Sequence, residues 1–519
     1  MTQASAERSG AVALVQTFVE AGVKVCFANP GTSEMHFVAA LDTNPEMRCV
    51  LGLFEGVVTG AADGYGRMTG TPAATLLHLG PGLANGLANL HNAKKAFTPL
   101  VNVVGDHASY HRKFDAPLTS NIEGIAAPVS GWVRASRSAD EVGADGSAAI
   151  QAALSPPGQV ATLILPADTA WNTTRRLSSP VQRPIPAAFD PAHVDATAKV
   201  LRGGEPAVML INGRLDAGRL VLAQRIAKAS GARLITDTFV SRQQRGAGRV
   251  SPIRLPYFGE QAAEVLAGTR HLILVGTQAP VTFFAYPGKP YWLTPDRCAL
   301  HTLVEREADV DGALDALGQA LSIQATKADL APLERSPLAS GGLNPKTIAA
   351  AVSHYLPDNA IVVDEGGTSG AATSAATRTA PPHDWLQLTG GSIGYAMPTA
   401  TGAAIACPDR RVICLQGDGG GMYTLQALWT QAREQLDITT IIFANRKYSI
   451  LQVELARVGA RPGPKATSML ELTNPELSWV QMAQGMGVAA WRATSADEFN
   501  AALAAALRTR GPSLIEAMI

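Results

Sequence analysis

The chain has 519 residues, is 46% hydrophobic, and balances 43 basic against 43 acidic side chains. That length exceeds what one hydrophobic core supports and predicts about three domains. Balanced charge argues against a nucleic-acid surface, and no apolar run reaches membrane-spanning length.

The opening MTQASAERSG lacks the basic-then-apolar order of a secretory leader. Five scattered cysteines, Cys26, Cys49, Cys298, Cys407 and Cys414, form no CxxC pair and read as reduced core residues of a cytoplasmic protein. Apolar runs at Val23–Phe27, Cys49–Phe54, Ala74–Leu79 and Leu100–Val104 read as strands separated by helical stretches. This alternation predicts a parallel sheet with helices on both faces. The stretch SSPVQRPIPAAFDP marks a linker at Ser178–Pro191. A second α/β pattern follows at Ala207–Ile211, Arg233–Thr236 and His271–Val275, and ATKADLAPLERSPLASGGLNP reads as a second linker. Strands resume at Ala360–Val363, Val412–Leu415 and Thr439–Phe443. The expected fold is α/β, with three consecutive open parallel-sheet domains and helices on both faces, over 1–178, 191–330 and 341–519. The first and third are compatible with a duplication, although no sequence repeat is visible.

The chemistry is densest between Arg410 and Leu451. Asp418, inside GDGGG, follows the strand Val412–Leu415. Leu425, Leu428, Trp429 and Ala432 then mark a helix over Tyr423–Arg433, and the strand Ile438–Phe443 delivers Asn445. A right-handed crossover brings both side chains to the carboxyl edge of the sheet, where open α/β sheets bind ligands. Gly417, Gly419, Gly420 and Gly421 leave backbone amides bare for phosphate. A carboxylate, an amide oxygen, backbone carbonyls and phosphate oxygens suit magnesium. A glycine turn with a helix-capping asparagine accounts for GDGG alone, and the pairing with Asn445 favours the metal site.

Other segments place polar groups on strand ends. Glu55 ends an apolar run and opens a glycine-alanine helix, where an acid also serves as a cap. ANPGTSEMHF, LLHLGPG and VVGDHASYH gather Asn29, Thr32, His78, Asp106 and His107 on the same edge. In isolation, DEGGTSG (364–370) is a glycine turn and GGSIGYAMP a close-packed helix start.

Together and in this order, these segments resemble the thiamine-diphosphate-dependent decarboxylase and acetolactate synthase superfamily. The resemblance implies a pyrimidine-binding first domain, a middle domain and a diphosphate-binding third domain. It implies that Asp418, Asn445 and the Lys447 carbonyl hold magnesium against the diphosphate, beside Gly419 and Gly420. The family often carries a double asparagine where this chain has Ala444–Asn445, and the ligand aligns with the second position. Gly367 and Thr368 fall in the diphosphate-contacting loop. Ile393 falls at the apolar wedge beneath the two cofactor rings, with the Gly391 carbonyl accepting from the 4′-amino group. Glu55, in FEGVVTGAADGYGRMTG, matches the acid that hydrogen-bonds the aminopyrimidine ring.

For the substrate, LLHLGPG resembles the segment holding an active-site histidine of benzoylformate decarboxylase, which nominates His78. Thr32 matches that enzyme's substrate-contacting serine, and His107 is a further candidate. APVTFFAYPG resembles another loop of the same enzyme, with Ala285 where a second catalytic histidine belongs. Pyruvate decarboxylase's histidine pair and downstream glutamate correspond here to GDHASYH and Leu451. The resemblance implies a lyase or carboligase acting on a 2-oxo acid, closest in label to acetolactate synthase. A simple 2-oxo acid decarboxylase of the benzoylformate decarboxylase type is the runner-up. A non-catalytic paralogue serving as a binding subunit is the rival from another class, and the intact Glu55, Asp418 and Asn445 speak against it. The expected cofactors are thiamine diphosphate and Mg2+, without FAD, since no GxGxxG follows a strand in the middle segment. The expected assembly is a homodimer or homotetramer, because the family builds its site from two subunits.

Overall fold

A computed structural model describes residues 7–176, 178 and 181–519. The first six residues, on which the leader expectation partly rests, and Ser179 and Pro180 of the first expected linker lie outside the described residues.

The first sheet contains β1 (Val25–Asn29), β2 (Arg48–Leu51), β3 (Ala73–Leu77), β4 (Leu100–Asp106), β5 (Trp132–Ala135) and β6 (Val160–Pro166). Its order is β2-β1-β3-β4-β6-β5, and every pairing is parallel. β3, β4 and β6 are buried along their whole length. Helices cover both faces of such strands, so they read as continuous apolar runs rather than alternations. The expected strand Cys49–Phe54 stops at Leu51, because Phe54 already serves as the extended N-cap of α1 (Glu55–Thr69).

The middle segment carries β7 (Ala207–Ile211), β8 (Arg214–Leu215), β9 (Arg233–Thr236), β10 (Arg242–Arg245), β11 (Ile253–Arg254), β12 (His271–Val275) and β13 (Ala299–Val304). Five of these form a sheet in the order β11-β9-β7-β12-β13. β8 and β10 leave it and join the third sheet, whose own strands are β14 (Ala360–Glu365), β15 (His383–Gln387), β16 (Val412–Gly417), β17 (Ile438–Ala444), β18 (Ala489–Ala493) and β19 (Ser513–Met518). β10 runs antiparallel to β15, pairing Gln243 with Trp385 and Arg245 with His383. This antiparallel edge on a parallel sheet is invisible in the sequence pattern. The second expected linker is no free tether: Ala331 N–H donates to Arg249 O and Glu334 N–H to Thr379 O, each at 2.9 Å.

Stripped of β8 and β10, the third sheet has the order β15-β14-β16-β17-β19-β18. Strand for strand this repeats the first sheet, so the two domains share a topology that their sequences no longer display. Their equivalent helices, α1 and α4 (Ala396–Ala406), pack on each other. Side chains on Gly64 and Gly402 would overlap the backbone of Thr399 and Ala61 respectively, so the helices touch backbone to backbone. One hydrophobic cluster runs through this contact, from Val57 and Ala61 to Ala400, Ala403 and Val412.

Arg67, on α1, ties all three segments together. Its buried guanidinium pairs with Asp63 at 2.7 Å. It also donates to Gln387 O (2.6 Å), Thr389 Oγ1 and Tyr395 Oη (both 3.0 Å), and Ser241 O (3.3 Å). All five cysteines are free, but only Cys26 and Cys414 are core residues. Cys49 is exposed because it lies on the short, edge-positioned β2. Among the described residues no helix is long and apolar enough to cross a membrane.

Candidate active site

The carboxyl ends of β14 and β16 are neighbours, and a helix starts at each: α3 (Gly367–Ala376) and α5 (Asp418–Gly421). The helix expected over Tyr423–Arg433 is shorter. A turn at 422–426 separates α5 from α6 (Ala427–Arg433), and Thr424 Oγ1 is spent on Gly394 O at 2.9 Å. β16 and β17 pair in parallel with Gly417 opposite Phe443, so Asp418 and Asn445 emerge side by side as the crossover requires.

Asp418 is buried. Its Oδ1 accepts from Gly419 N–H (2.8 Å) and its Oδ2 from Arg446 N–H (2.6 Å). Burial pushes its pKa up, and these two amides oppose that shift. Arg446 adopts a left-handed φ of 57°, which turns the chain back over the carboxylate. Asn445 Oδ1 accepts from Lys447 N–H (3.1 Å), and its Nδ2 donates to Ser449 Oγ (3.0 Å). The described residues hold no cluster of three His, Cys, Asp or Glu able to bind a metal. A cation here would therefore combine one carboxylate with neutral oxygens and the oxygens of its own ligand, which is how Mg2+ sits on phosphates. Gly367 (φ 55°) and Thr368 lie exposed at the start of α3, so two sets of helix-terminal amides face one edge. Gly419, Gly420 and Gly421 are each required locally: a Cβ would overlap Tyr448, Glu365 and Trp479 in turn.

Gly391 and Ile393 lie in the segment before the helix Ala396–Ala406. Gly391 has φ 75°, and the Phe283 ring occupies the place of its missing side chain. The loop carrying Ala285 thus meets this segment, within an aromatic group of Phe239, Tyr257, Phe283 and Phe284. The first domain grips the same segment. Asn89 Nδ2 donates to both Gly56 O (2.8 Å) and Gly394 O (3.2 Å), and Asn92 exchanges bonds with Ser392.

Glu55 opens α1 and is buried, its Oε2 accepting from Asn85 Nδ2 at 3.0 Å. His78 is the N-cap of α2 (Leu79–Ala96). The two side chains flank Gly82, whose missing Cβ would lie 3.0 Å from Glu55 Oε1 and 3.3 Å from His78 Cβ. His78 Nδ1 lies 2.8 Å from Glu34 Oε2. Glu34 also accepts from Gly31 N–H (2.7 Å) and Ser33 Oγ (2.5 Å). With Nδ1 set against this carboxylate, the ring's other nitrogen is Nε2. Thr32 is exposed beside this pair. His107 is set differently: its ring lies edge-on to His111, 5.5 Å between centroids.

The sequence reading missed Glu34, Asn85 and Glu365. Glu34 and Glu365 lie within segments it singled out, but nothing local marks an acid as buried. Asn85 sits one turn beyond LLHLGPG, on a helix whose burial the sequence did not reveal.

Fold and site together define an α/β enzyme that binds a phosphate-bearing cofactor at the carboxyl edges of two like sheets. Residues 8–126 match the model of the N-terminal TPP binding domain of thiamine pyrophosphate enzymes, and residues 365–517 match that of the C-terminal TPP binding domain. A Mycobacterium tuberculosis protein described under an acetolactate synthase large-subunit name, IlvX, is 53% identical over 517 residues, covering 98% of this chain and 99% of its own. Benzoylformate decarboxylase of Pseudomonas aeruginosa is 28% identical over 95% of this chain and 96% of its own. The solved Rhodococcus jostii thiamine diphosphate-dependent 4-hydroxybenzoylformate decarboxylase shares the fold, with TM-score 0.84 at 24% identity over 98% of this chain and 99% of that one. The chain belongs to the thiamine pyrophosphate enzyme family and is a thiamine-diphosphate-dependent enzyme.

Proposed function

We propose that the protein is a lyase and carboligase acting on a 2-oxo acid, of the acetolactate synthase type, in which Asp418, Asn445 and the Lys447 carbonyl would hold Mg2+ with the diphosphate of the cofactor. The observation that carries this reading is the Asp418–Arg446 hydrogen bond, which closes the ends of β16 and β17 into one oxygen-lined turn. Thiamine diphosphate held there would supply a nucleophilic carbon and an electron sink for decarboxylation of a 2-oxo acid. Gly367, Thr368 and Gly420 would offer amides to the diphosphate, Gly419, whose amide is given to Asp418, would let it approach closely, and Gly391 and Ile393 would support the rings. Glu55 moves a proton at its carboxylate, with Asn85 holding that group in place. His78, oriented by Glu34 through Nδ1, exchanges a proton with the substrate at Nε2, and Thr32 contacts the substrate. His107, at the carboxyl end of β4, is a further catalytic candidate.

Simple 2-oxo acid decarboxylation is the second reading, favoured by the pairing of His78 Nδ1 with Glu34, since aldehyde release needs a proton that ligation does not. The absence of histidine at position 285 favours ligation. Two copies of the chain would complete each site. Supporting this, exposed apolar side chains border both ligand edges: Leu53, Tyr110 and Phe114 on the first domain, Tyr423 and Leu451 on the third. We place the domains at 1–178, 191–330 and 341–519, with β8 and β10 lent across the second boundary, and the enzyme in the cytoplasm. The test is to load purified protein with thiamine diphosphate and Mg2+ and screen 2-oxo acids for carbon dioxide release. Products are identified with and without a carbonyl acceptor. No release from any 2-oxo acid would refute the reading.

A further inference from the structure

We infer that Glu365 is a positioning residue, which locks the cofactor-bending segment Gly391–Ile393 against the glycine turn Gly419–Gly421. The inference rests on the thiamine diphosphate reading above.

Glu365 ends β14 and is only 7% exposed. Its strand partner is Gln416 on β16, so it rises between the two strand ends where α3 and α5 begin. One carboxylate oxygen accepts from Gly394 N–H (2.8 Å), and the other from Tyr395 N–H (2.7 Å) and Ala396 N–H (2.8 Å). Those three amides open the helix Ala396–Ala406 and have no partners within it. On its other side the carboxylate fills the space that a side chain on Gly420 would need. Burial pushes the Glu365 pKa up, and the amide donors oppose that shift.

An ordinary N-cap sits next to its own helix. Asn344 is one, accepting from Lys346 and Thr347, and removing it would cost helix stability alone. Glu365 caps from another strand. It therefore sets where the segment lies relative to the sheet, as well as whether the helix starts. Gly394 O is held in turn by Thr424 and Asn89, and Ser392 by Asn92, so side chains hold the backbone on both sides of Ile393. Replacing the carboxylate by an amide leaves one acceptor oxygen. The new NH2 group then faces an N–H that was a donor, and the segment must move.

The experiment uses the full chain carrying Glu365→Gln, with Asn344→Ala as a cap-only control. Each is titrated with thiamine diphosphate and Mg2+ by calorimetry at 25 °C, and apo thermal midpoints are measured alongside. Glu365→Gln should weaken cofactor binding about tenfold to a hundredfold, the scale of one or two lost charge-assisted hydrogen bonds. Asn344→Ala should lower the midpoint and leave affinity unchanged. Glu365→Asp, which keeps the charge but shortens the reach, should fall between wild type and Glu365→Gln, and it carries the test if Glu365→Gln does not fold. Wild-type affinity in every folded Glu365 variant, with only the midpoint lowered, would reduce Glu365 to a helix cap and overturn the inference. If the wild type itself binds no thiamine diphosphate, the underlying reading fails first, and the two failures are thereby told apart.

Discussion

Replacing Glu55 by Gln separates chemistry from architecture at this site. In the fold, Glu55 has one hydrogen bond to Asn85, and a glutamine carbonyl can accept it equally well. The substitution also removes a negative charge from the first turn of α1, an interaction worth about 0.3–1 kcal/mol. The expected loss of stability is therefore about 1 kcal/mol. The amide cannot move a proton, and general acid–base catalysis contributes about 10²–10⁴-fold, or about 3–5 kcal/mol of barrier. The assay compares carbon dioxide release from pyruvate and from benzoylformate in wild type and Glu55→Gln, with cofactor affinity and thermal midpoint measured on the same preparations. Activity should fall by at least two orders of magnitude while the midpoint moves by a few degrees. Full turnover on any substrate the wild type uses would remove Glu55 from the chemistry. An activity loss that merely follows the loss of folded protein would leave it only a structural role.

Asp418→Ala should weaken Mg2+-dependent cofactor binding by about a hundredfold or more, since even residues behind metal ligands cost about 10–100-fold; unchanged affinity by calorimetry would exclude Asp418 from the metal site. Arg67→Ala leaves Asp63 buried without its partner and should cost about 3–5 kcal/mol in chemical denaturation; a loss below about 1 kcal/mol would mean that the three segments do not depend on this residue. Light scattering should find a dimer or tetramer, and a fully active monomer would contradict the shared site. Desolvation and the nearby Arg245 guanidinium push His383 down to about 3 from its ordinary 6.5. The unfolded chain then binds a proton that the folded chain refuses, so stability falls as pH drops from about 6.5 towards 3, by about 3–5 kcal/mol. His383→Asn should flatten that slope in denaturation measured across the range, and an unchanged slope would place the acid sensitivity elsewhere.

What the sequence by itself determined here is what local spacing encodes. Apolar runs of strand length, separated by helical stretches, were enough to expect three consecutive α/β units, because a strand buried on both faces must be apolar throughout. Asp418 and Asn445 follow consecutive strands joined by one crossover, so the parallel pairing of those strands brings the two side chains to one edge. His78 was legible as a strand-end residue, and Glu55 as the acid that opens a glycine-alanine helix. The tertiary structure alone decided the rest. Glu365 meets Gly394 across 29 positions, Arg67 meets Gln387 across 320, and β10 finds β15 in another domain. None of these contacts leaves a local period, because each depends on where the packing of whole sheets delivers two distant backbones. The common topology of the first and third sheets was hidden for the same reason. Burial and strand order constrain the kind of residue at a position, apolar or small, and many different sequences satisfy that constraint equally well.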